Sequence, residues 1–487
     1  MIGVPPVPST PRLSRVSLRN RAVLAVALSV GFYALALALI AGLVAILFIP
    51  HVPGRILIFC LIGAIVIAIS IVPWPHPFVP PGPLLNPAGQ TRLFAELQAI
   101  AHAVGETMPA EVYITPEMNA GVLQRRRKRV MVLGLPLMQV MSVPQMRAVI
   151  AHEFGHYHGG DTRLGPWIYR TREAIERTLR LASKQSALLQ LPFMWYGRMF
   201  MRVTQAVSRR QELAADELAA RTVGAKPMID GLRALARGSI AFNVYWRQEV
   251  VPLIEAGFQP PLAEGFHRFL AEPEVMKEIE AAAERELAQP RPDPYDSHPP
   301  DAERIAALTN LPPGPDHGDG PPAVSLVEGV EAIEPVLLLG VLKPGFQLRR
   351  IGWDEAGIVA LLPGLRERVT RQAGMVGGYT VGWLPELLKY ADRLGRSEAG
   401  AAANQPTPDQ ARSLGVGLAG AALATALAQN GWKAESLPGR PVVMRREASA
   451  IEPFAEVDKL ARGEVDTESW QRRCWDLGIR DLSLAPA

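Results

Sequence analysis

The chain is 487 residues long, 48% of them hydrophobic, and its formal net charge at pH 7 is +4. This length predicts two or three folding units, and the small net charge gives no reason to expect a nucleic-acid partner. The two cysteines, Cys60 and Cys474, are far apart in the sequence. Their separation argues against a disulfide framework or a cysteine-type zinc site, and it favours a reducing compartment.

Two apolar runs without a charged residue lie near the start of the chain, at residues 22–49 and 56–74. Each is long enough to cross a bilayer, for which ~20 residues suffice. The short connection at residues 51–55 therefore predicts a transmembrane helical hairpin that occupies residues 22–74. The first run exceeds the ~7–15 residues of a signal-peptide core, so we expect it to remain as an anchor.

Basic residues are unequally divided between the two ends of this hairpin. Four arginines precede it in the basic N-terminus, residues 1–21, and Arg55 alone lies in the connection. The positive-inside rule therefore predicts a cytoplasmic N-terminus. Because two spans return the chain to the same side, we expect the remainder to be cytoplasmic as well.

Breaks rich in proline and glycine divide the rest of the chain. Residues 75–89 are predicted to be a stiff linker, residues 90–310 a globular domain and residues 311–324 a second linker. Residues 325–487 form a C-terminal accessory unit without a recognisable motif. Its apolar run at residues 414–429 is short for a membrane span, so it predicts a buried helix.

The globular domain begins with a helical pattern near Gln90 and continues with two strand-like runs, residues 111–114 and 130–133. The basic stretch 124–129 lies between the two strands. Its charges are expected either to contact anionic lipid headgroups, at roughly 1 kcal/mol each, or to form a solvated turn, and the sequence leaves both readings open.

An H-E-x-x-H motif is the strongest chemical signal, formed by His152, Glu153 and His156. Residues four apart share one helix face, so a helix here directs both imidazoles at one metal ion. A capping box of Ser142 and Gln145 predicts the start of that helix. Glu153 is then positioned to take a proton from a zinc-bound water.

A catalytic zinc site needs a third protein ligand and one open position. The continuation H-E-x-x-H-x-x-G-x-x-H is excluded, because Thr162 occupies the last position. A later helical stretch offers Glu212 and Asp216, which share a face. Glu212 can bind the zinc while Asp216 orients a histidine ligand. The alternative for this pair is an ordinary solvated acidic face.

The anchor, the sequence A-H-E-F-G-H and the later S-R-R-Q-E-L-A-A-D together resemble the membrane zinc metallopeptidases of the HtpX and CAAX prenyl protease type. The resemblance covers about residues 22–310. It implies that Glu212 is the third zinc ligand and that Asp216 supports the site.

Two further segments match this family. Asn119 and Ala120 resemble the segment that binds the substrate backbone by strand addition. His298 and Arg304 resemble the H-P-x-x-x-x-R segment, which implies a place beside the reacting carbonyl. The continuation at residues 121–123 departs from the family pattern and leaves the detailed role of the first segment open.

Relatives of the HtpX type often carry further spans between the zinc motifs. Residues 185–207 are apolar here but contain Arg198 and Arg202, and arginine near a bilayer centre is costly. The segment is therefore predicted to be an interfacial or re-entrant amphipathic helix, or alternatively a buried helix pair beside the active site.

Together these observations predict an α+β, predominantly helical chain. It comprises the N-terminal transmembrane hairpin, a zincin-like metalloprotease domain with a small edge sheet, and a C-terminal α/β accessory unit. The expected function is metalloendopeptidase activity with one Zn²⁺ per chain, and the expected partners are protein or peptide substrates and the lipid bilayer of a bacterial plasma membrane. The alternative is an inactive, membrane-tethered zinc-binding scaffold, against which the intact Glu153 argues.

Overall fold

The computed structural model describes residues 15–72, 78–125, 128–158, 161–288, 299–312, 318–341, 348–400 and 406–485. The chain separates into two compact units. The first comprises Met1–Gly238 and Ala282–Gly329, and the second comprises Ser239–Ala281 and Val330–Ala487.

Helices dominate both units, as the sequence predicts. Those that start in the first half of the chain are α1 (Arg15–Ile46), α2 (Gly54–Ile71), α3 (Thr91–Val104), α4 (Leu135–Val140), α5 (Val143–His158), α6 (Asp161–Gln185), α7 (Ala187–Thr222) and α8 (Ala225–Tyr245). Those that follow are α9 (Val251–Glu255), α10 (Leu262–Leu270), α11 (Pro273–Ala288), α12 (Asp301–Thr309), α13 (Val330–Val341), α14 (Trp353–Ala356), α15 (Leu362–Arg371), α16 (Ala373–Val376), α17 (Leu384–Leu388), α18 (Ala391–Ala399), α19 (Pro408–Gln429), α20 (Pro453–Arg462) and α21 (Thr467–Asp476).

The strands form small sheets. They are β1 (Glu111–Thr115), β2 (Ala120–Arg125), β3 (Lys128–Gly134), β4 (Phe258–Gln259), β5 (Arg349–Arg350), β6 (Lys433–Glu435), β7 (Val443–Arg446) and β8 (Ser449–Ile451). The predicted fold class, predominantly helical α+β, is confirmed.

Three of the described helices are long and apolar enough to cross a membrane: Val23–Ile46 within α1, α2, and α19. The first two are the predicted hairpin. The third differs, because Leu418, Leu423 and Leu427 on α19 are fully buried inside the second unit. A helix already covered by protein has no apolar face to offer lipid, which agrees with the buried helix expected there.

Helices α6 and α7 pack against the hairpin. The core that they share with α1 and α2 contains Phe32, Ile67, Phe193 and Phe200, all fully buried. Helix α7 begins after the N-cap Ser186 and runs to Thr222, with Pro192 inside it. Most of the segment 185–207 is therefore the first part of one long helix that joins the hairpin bundle to the rest of the first unit, and Gln185 is the last residue of α6.

A three-stranded sheet follows the order β1-β3-β2. Strand β3 pairs in parallel with β1 and antiparallel with β2, so the two strand-like runs of the sequence are confirmed as strands. Among the described strands, β2 has β3 as its one partner, and it forms an edge of the sheet. Tyr157 on α5 donates a hydrogen bond to the backbone oxygen of Val130 at 3.3 Å, which holds α5 against this sheet.

The boundary between the two units differs from the division at residues 311–324 that the sequence suggests. Residues 318–329 belong to the first unit, where the Val143 amide donates to the Pro321 oxygen at 2.8 Å. Gln90 and Glu328 exchange side chain-to-backbone hydrogen bonds of 2.7 and 2.8 Å. These contacts join the start of the predicted globular domain, at Gln90, to the end of the first unit.

Residues 239–281, expected in the catalytic domain, belong instead to the second unit. The Tyr245 ring lies 5.3 Å from that of Phe266 and 6.1 Å from that of Trp353, measured between centroids. The Trp353 indole also donates to the Pro261 oxygen at 2.9 Å. An aromatic core therefore unites segments that are remote in sequence.

Close packing of α18 against α19 organises the rest of the second unit. A Cβ atom at Gly415 would lie 1.9 Å from the Ala391 oxygen, and one at Gly395 would lie 1.7 Å from the Ala411 oxygen. Glycine at both positions lets the two backbones touch, as no larger residue would.

Candidate metal centre

Helix α5 carries the H-E-x-x-H motif. Gln145 accepts a hydrogen bond from the Ser142 amide at 2.9 Å, which is one half of the predicted capping box. Met146 and Ile150 are fully buried on one side of the helix. This burial fixes the rotation of α5 and leaves His152 and His156, which share a face, directed towards α7.

Helix α7 brings the second motif to the same place. A Cβ atom at Gly155 would lie 2.9 Å from the Ala215 Cα and 3.0 Å from its Cβ. The two helices therefore touch at a glycine and an alanine, one in each motif. Larger side chains there would push Glu212 away from the histidines, so these small residues set the width of the site.

Two imidazole nitrogens and one carboxylate converge between the two helices. The Nε2 atoms of His152 and His156 are 3.2 Å apart. The Oε2 atom of Glu212 lies 3.5 Å from the first of these nitrogens, and its Oε1 atom lies 3.6 Å from the second. A tetrahedral zinc ion with bonds of 2.0–2.1 Å places its ligand atoms about 3.3–3.4 Å apart. The spacing of the two imidazole nitrogens fits two ligands of one zinc ion, and the Glu212 carboxylate lies close to both.

Glu153 lies beside these three residues. Its carboxylate and the two imidazoles offer ligand atoms that lie within 4.8 Å of one another. As the neighbour of His152 in the helix, however, Glu153 projects from a different face. It is half-buried, close enough to the metal position to exchange a proton there without being needed as a ligand.

Asp216 orients the first histidine. Its Oδ1 atom lies 2.8 Å from the Nδ1 atom of His152, which leaves Nε2 free for the metal. Arg304, on α12, donates two hydrogen bonds to the same carboxylate, at 2.9 and 2.7 Å. Burial by itself raises the pKa of Asp216, but the hydrogen bonds from Arg304 and His152 outweigh it and lower that pKa.

Arg304 lies behind the residues that face the metal position, and its place beside a reacting carbonyl stays a prediction. Its guanidinium is buried and contacts Asp216, and it lies 4.0 Å from Glu212. His298 lies outside the described residues, so its place beside a reacting carbonyl stays a prediction. Arg304 acts on the site through Asp216 and the histidine that Asp216 holds.

Removing Arg304 is expected to destabilise the protein. The Arg304→Ala variant leaves the buried Asp216 carboxylate without its cation, and breaking a buried ion pair in this way costs about 3–5 kcal/mol. Denaturant unfolding of the purified chain measures the loss. The matched control is Arg221→Ala on α7, whose exposed pair with Glu217 should contribute less than about 1 kcal/mol. Equal losses of unfolding free energy in the two variants would contradict the expected difference between the buried and the exposed ion pair.

The protonation of His152 predicts how zinc binding depends on pH. Burial by itself lowers the pKa of this imidazole, but hydrogen bonds to Asp216 and Glu212 prevail and raise it to about 9. Below that pH an incoming metal must displace a proton. We therefore expect the zinc dissociation constant to fall by up to about tenfold per unit from pH 7 to about pH 9.

Competition titration with a chelator measures this dependence. The Asp216→Asn variant is the control, because without the carboxylate the pKa of His152 should fall and the pH dependence above pH 7 should flatten. A wild-type affinity that does not change with pH would contradict the expectation.

The segment with Asn119 and Ala120 leads into the edge strand β2. The Asn119 oxygen accepts a hydrogen bond from the Gly134 amide at 2.7 Å. A Cβ atom at Gly134 would lie 2.0 Å from the Glu117 oxygen, so glycine is required for this approach. The start of β2 is thereby held in place, while its outer edge has no strand partner among the described residues.

Three residues that shape the site were not predicted from the sequence: Gly155, Ala215 and Tyr157. Gly155 and Ala215 set the distance between α5 and α7, and Tyr157 ties α5 to the sheet. The sequence does offer a signal for Gly155 and Ala215, because each is a small residue inside a motif whose other positions carry candidate ligands.

A known family profile matches the part of the chain that carries the metal centre. Residues 87–311 match the profile of Peptidase family M48. The chain is also similar to Protease HtpX of Idiomarina loihiensis, with 26% identity over 201 residues that cover 36% of this chain and 70% of the relative. No solved structure matches the chain.

Proposed function

We propose that the chain, whose residues 87–311 match peptidase family M48, is a membrane-anchored zinc metalloendopeptidase with Glu153 as general base. The observation that carries this proposal is the convergence of His152, His156 and Glu212. The two Nε2 atoms are 3.2 Å apart, and each lies within 3.6 Å of one oxygen of the Glu212 carboxylate. The neighbouring Glu153 adds a group that a purely structural metal site does not need.

Zinc bound by these three residues would polarise the scissile carbonyl and acidify a water molecule. Residues of the chain carry out proton transfer and hold the first histidine in place. Glu153 accepts the proton of the attacking water and passes it to the leaving amine. Asp216, held by Arg304, keeps the His152 imidazole in the tautomer that presents Nε2.

The substrate enters along β2 in this proposal. An extended peptide can add to an unpaired strand edge through main-chain hydrogen bonds, and β2 is such an edge. The Tyr157 hydroxyl lies 3.5 Å from the Leu123 oxygen of β2, which links that strand to the helix of the two histidines. Asn119 and Ala120 would then bind the substrate backbone, which supports an endopeptidase that takes extended segments.

Proteins in or near the membrane are the proposed substrates. The hairpin of α1 and α2 is in the same unit as the metal centre, so the metal centre is tethered to the bilayer. Residues 1–21 contain four arginines, whereas the connection between the two spans contains Arg55 alone. This imbalance supports a catalytic unit on the cytoplasmic side of the membrane. A reporter enzyme fused after Ala487 should therefore be active in the cytoplasm, and activity on the outer side would contradict this orientation.

The test of the function uses the full-length chain, purified and reconstituted in lipid nanodiscs. We expect about one zinc ion per chain and cleavage of an unfolded protein substrate that a chelator stops and added zinc restores. Bound zinc without cleavage of any membrane or soluble substrate would favour the scaffold alternative. Cleavage that persists in the metal-free protein would refute the zinc mechanism.

A further inference from the structure

Helix α7 carries a third charged residue on the face that supplies Glu212 and Asp216. Arg209 lies three positions before Glu212 and seven before Asp216, and residues with this spacing share one side of a helix. The distance from Arg209 to Glu212 along the helix axis is about 4.5 Å. The side chain of Arg209 is therefore on the same side of α7 as the metal centre, and the roles proposed above leave it unused.

Helix α12 packs against this face and brings two neighbouring residues to it. Arg304 pairs with Asp216, its Nη2 atom 2.7 Å from Oδ1. The preceding residue, Glu303, lies opposite Arg209, with 3.8 Å between its Oε2 atom and the Nη1 atom of Arg209. Because Glu303 is in the first turn of α12, Arg209 is held beside the start of that helix.

The hydrogen-bonding capacity of the Arg209 guanidinium is largely unused. A separation of 3.8 Å suits an ion pair but is too long for a hydrogen bond, and the Nε atom is buried without a hydrogen-bond partner among the residues that the structure describes. Such orphaned donors are rare, because a buried N–H group without a partner is costly. Arg304 provides the contrast, since its Nε and Nη2 atoms both donate to one carboxylate. Arg209 therefore retains donors for a ligand.

The charge of Arg209 is also within reach of a ligand. Its side chain is 32% exposed and that of Glu303 is 23% exposed, whereas the side chain of Arg304 is 8% exposed. An accessible ion pair without a hydrogen bond contributes little to stability, so the guanidinium can exchange Glu303 for another anion at little cost. Rotation of the flexible side chain then presents Nε and Nη2 together, as the fork that matches a carboxylate.

A carboxylate is the partner that fits this position in charge and in shape. A peptide offers two kinds of oxygen acceptor, neutral backbone carbonyls and the charged carboxylates of acidic side chains. A carboxylate accepts two parallel hydrogen bonds from a guanidinium, which a single carbonyl oxygen does not. Arg209 already lies against the carboxylate of Glu303, so a carboxylate of the substrate would replace a group of its own kind.

We propose that Arg209 is a specificity-determining residue, which binds an acidic side chain of the substrate close to the scissile bond, and that Glu303 pairs with Arg209 when no such side chain is present. This inference rests on the proposed function and adds a substrate class to it: extended segments with an aspartate or a glutamate near the cleavage site. Arg209 discriminates between substrates by binding them, and it takes no part in the proton transfer by Glu153.

Paired peptides test this preference. The probes are fluorescein-labelled ten-residue peptides of one neutral sequence, in which each position in turn carries glutamate or glutamine. Anisotropy measures their binding to the zinc-loaded, full-length Glu153→Gln chain in nanodiscs, and the wild type is assayed for cleavage of the same peptides. At one position we expect glutamate to bind about 10–100-fold more tightly than glutamine, since hydrogen bonds between charged groups are the strong ones. The KM for cleavage should differ by a similar factor while kcat changes little.

Variants of the pair assign the preference to Arg209. Arg209→Gln should abolish the difference between the glutamate and glutamine peptides, and Arg209→Lys, which keeps the charge without the fork, should retain part of it. Glu303→Gln should enlarge the difference, because it removes the competing carboxylate. The matched control is Arg210→Gln, an exposed arginine at the next position of α7, which should leave the difference unchanged. Zinc content and a thermal melt of each variant check the metal centre and the fold.

Four results would overturn the proposal. They are equal binding of glutamate and glutamine peptides at every position, a preference that persists in Arg209→Gln, an equal loss in Arg210→Gln, and a preference that Glu303→Gln leaves unchanged or reduces. The last of these decides the question even if Arg209→Gln does not fold. A binding preference that depends on Arg209, in a chain whose wild type cleaves none of the peptides, would count against the proposed function and still support the carboxylate site.

Discussion

The Glu153→Gln variant is expected to keep its zinc and lose proteolysis, with turnover at least about 10²–10⁴-fold below that of the wild type. Glutamine has nearly the same shape as glutamate, so α5 and its two histidines should be undisturbed. Its amide cannot accept the proton of the attacking water, however. Turnover of an unfolded protein substrate and zinc content, measured on the same preparation, test this expectation.

The zinc measurement distinguishes two roles for Glu153. Its carboxylate lies in the same cluster as the two imidazoles, so a ligand role is conceivable from distance alone. Loss of zinc in Glu153→Gln would make it a ligand and would contradict the assignment of Glu212. Normal turnover would show that another group acts as the base.

Replacing Glu212 by alanine is expected to release the zinc. The variant removes the carboxylate and leaves two imidazoles, which is fewer than the three protein ligands of a catalytic site. Loss of an outer partner such as Asp216 typically lowers metal affinity by 10–100-fold. Glu212→Ala should exceed this range, and proteolysis should disappear with the metal.

The matched control is Glu217→Ala, on the same helix but exposed and paired with Arg221. It should retain zinc and activity, because its carboxylate lies away from the histidines. Competition with a fluorescent chelator gives the affinities, and a thermal melt of each variant checks that the fold is retained. Full zinc occupancy and activity in Glu212→Ala would show that another residue supplies the third ligand.

Local patterns in the sequence were sufficient for several features. An uncharged run of about 20 residues predicts a span wherever it occurs, and both spans of the hairpin are found in α1 and α2. His152 and His156 are one helical turn apart, as are Glu212 and Asp216. In each pair the spacing predicts the shared face, because helix geometry depends on near neighbours alone.

The tertiary structure alone decided the contacts between remote segments. Arg304 pairs with Asp216 across 88 residues, and Tyr245 meets Trp353 although the sequence had placed them in different domains. The packing of α6 and α7 against α1 and α2 likewise joins residues that are remote in the sequence. Helical spacing, charge and hydropathy describe which face of an element is buried, but many partners could cover that face equally well. Close packing and the pairing of buried charges select one of them, and both depend on the three-dimensional arrangement of the whole unit.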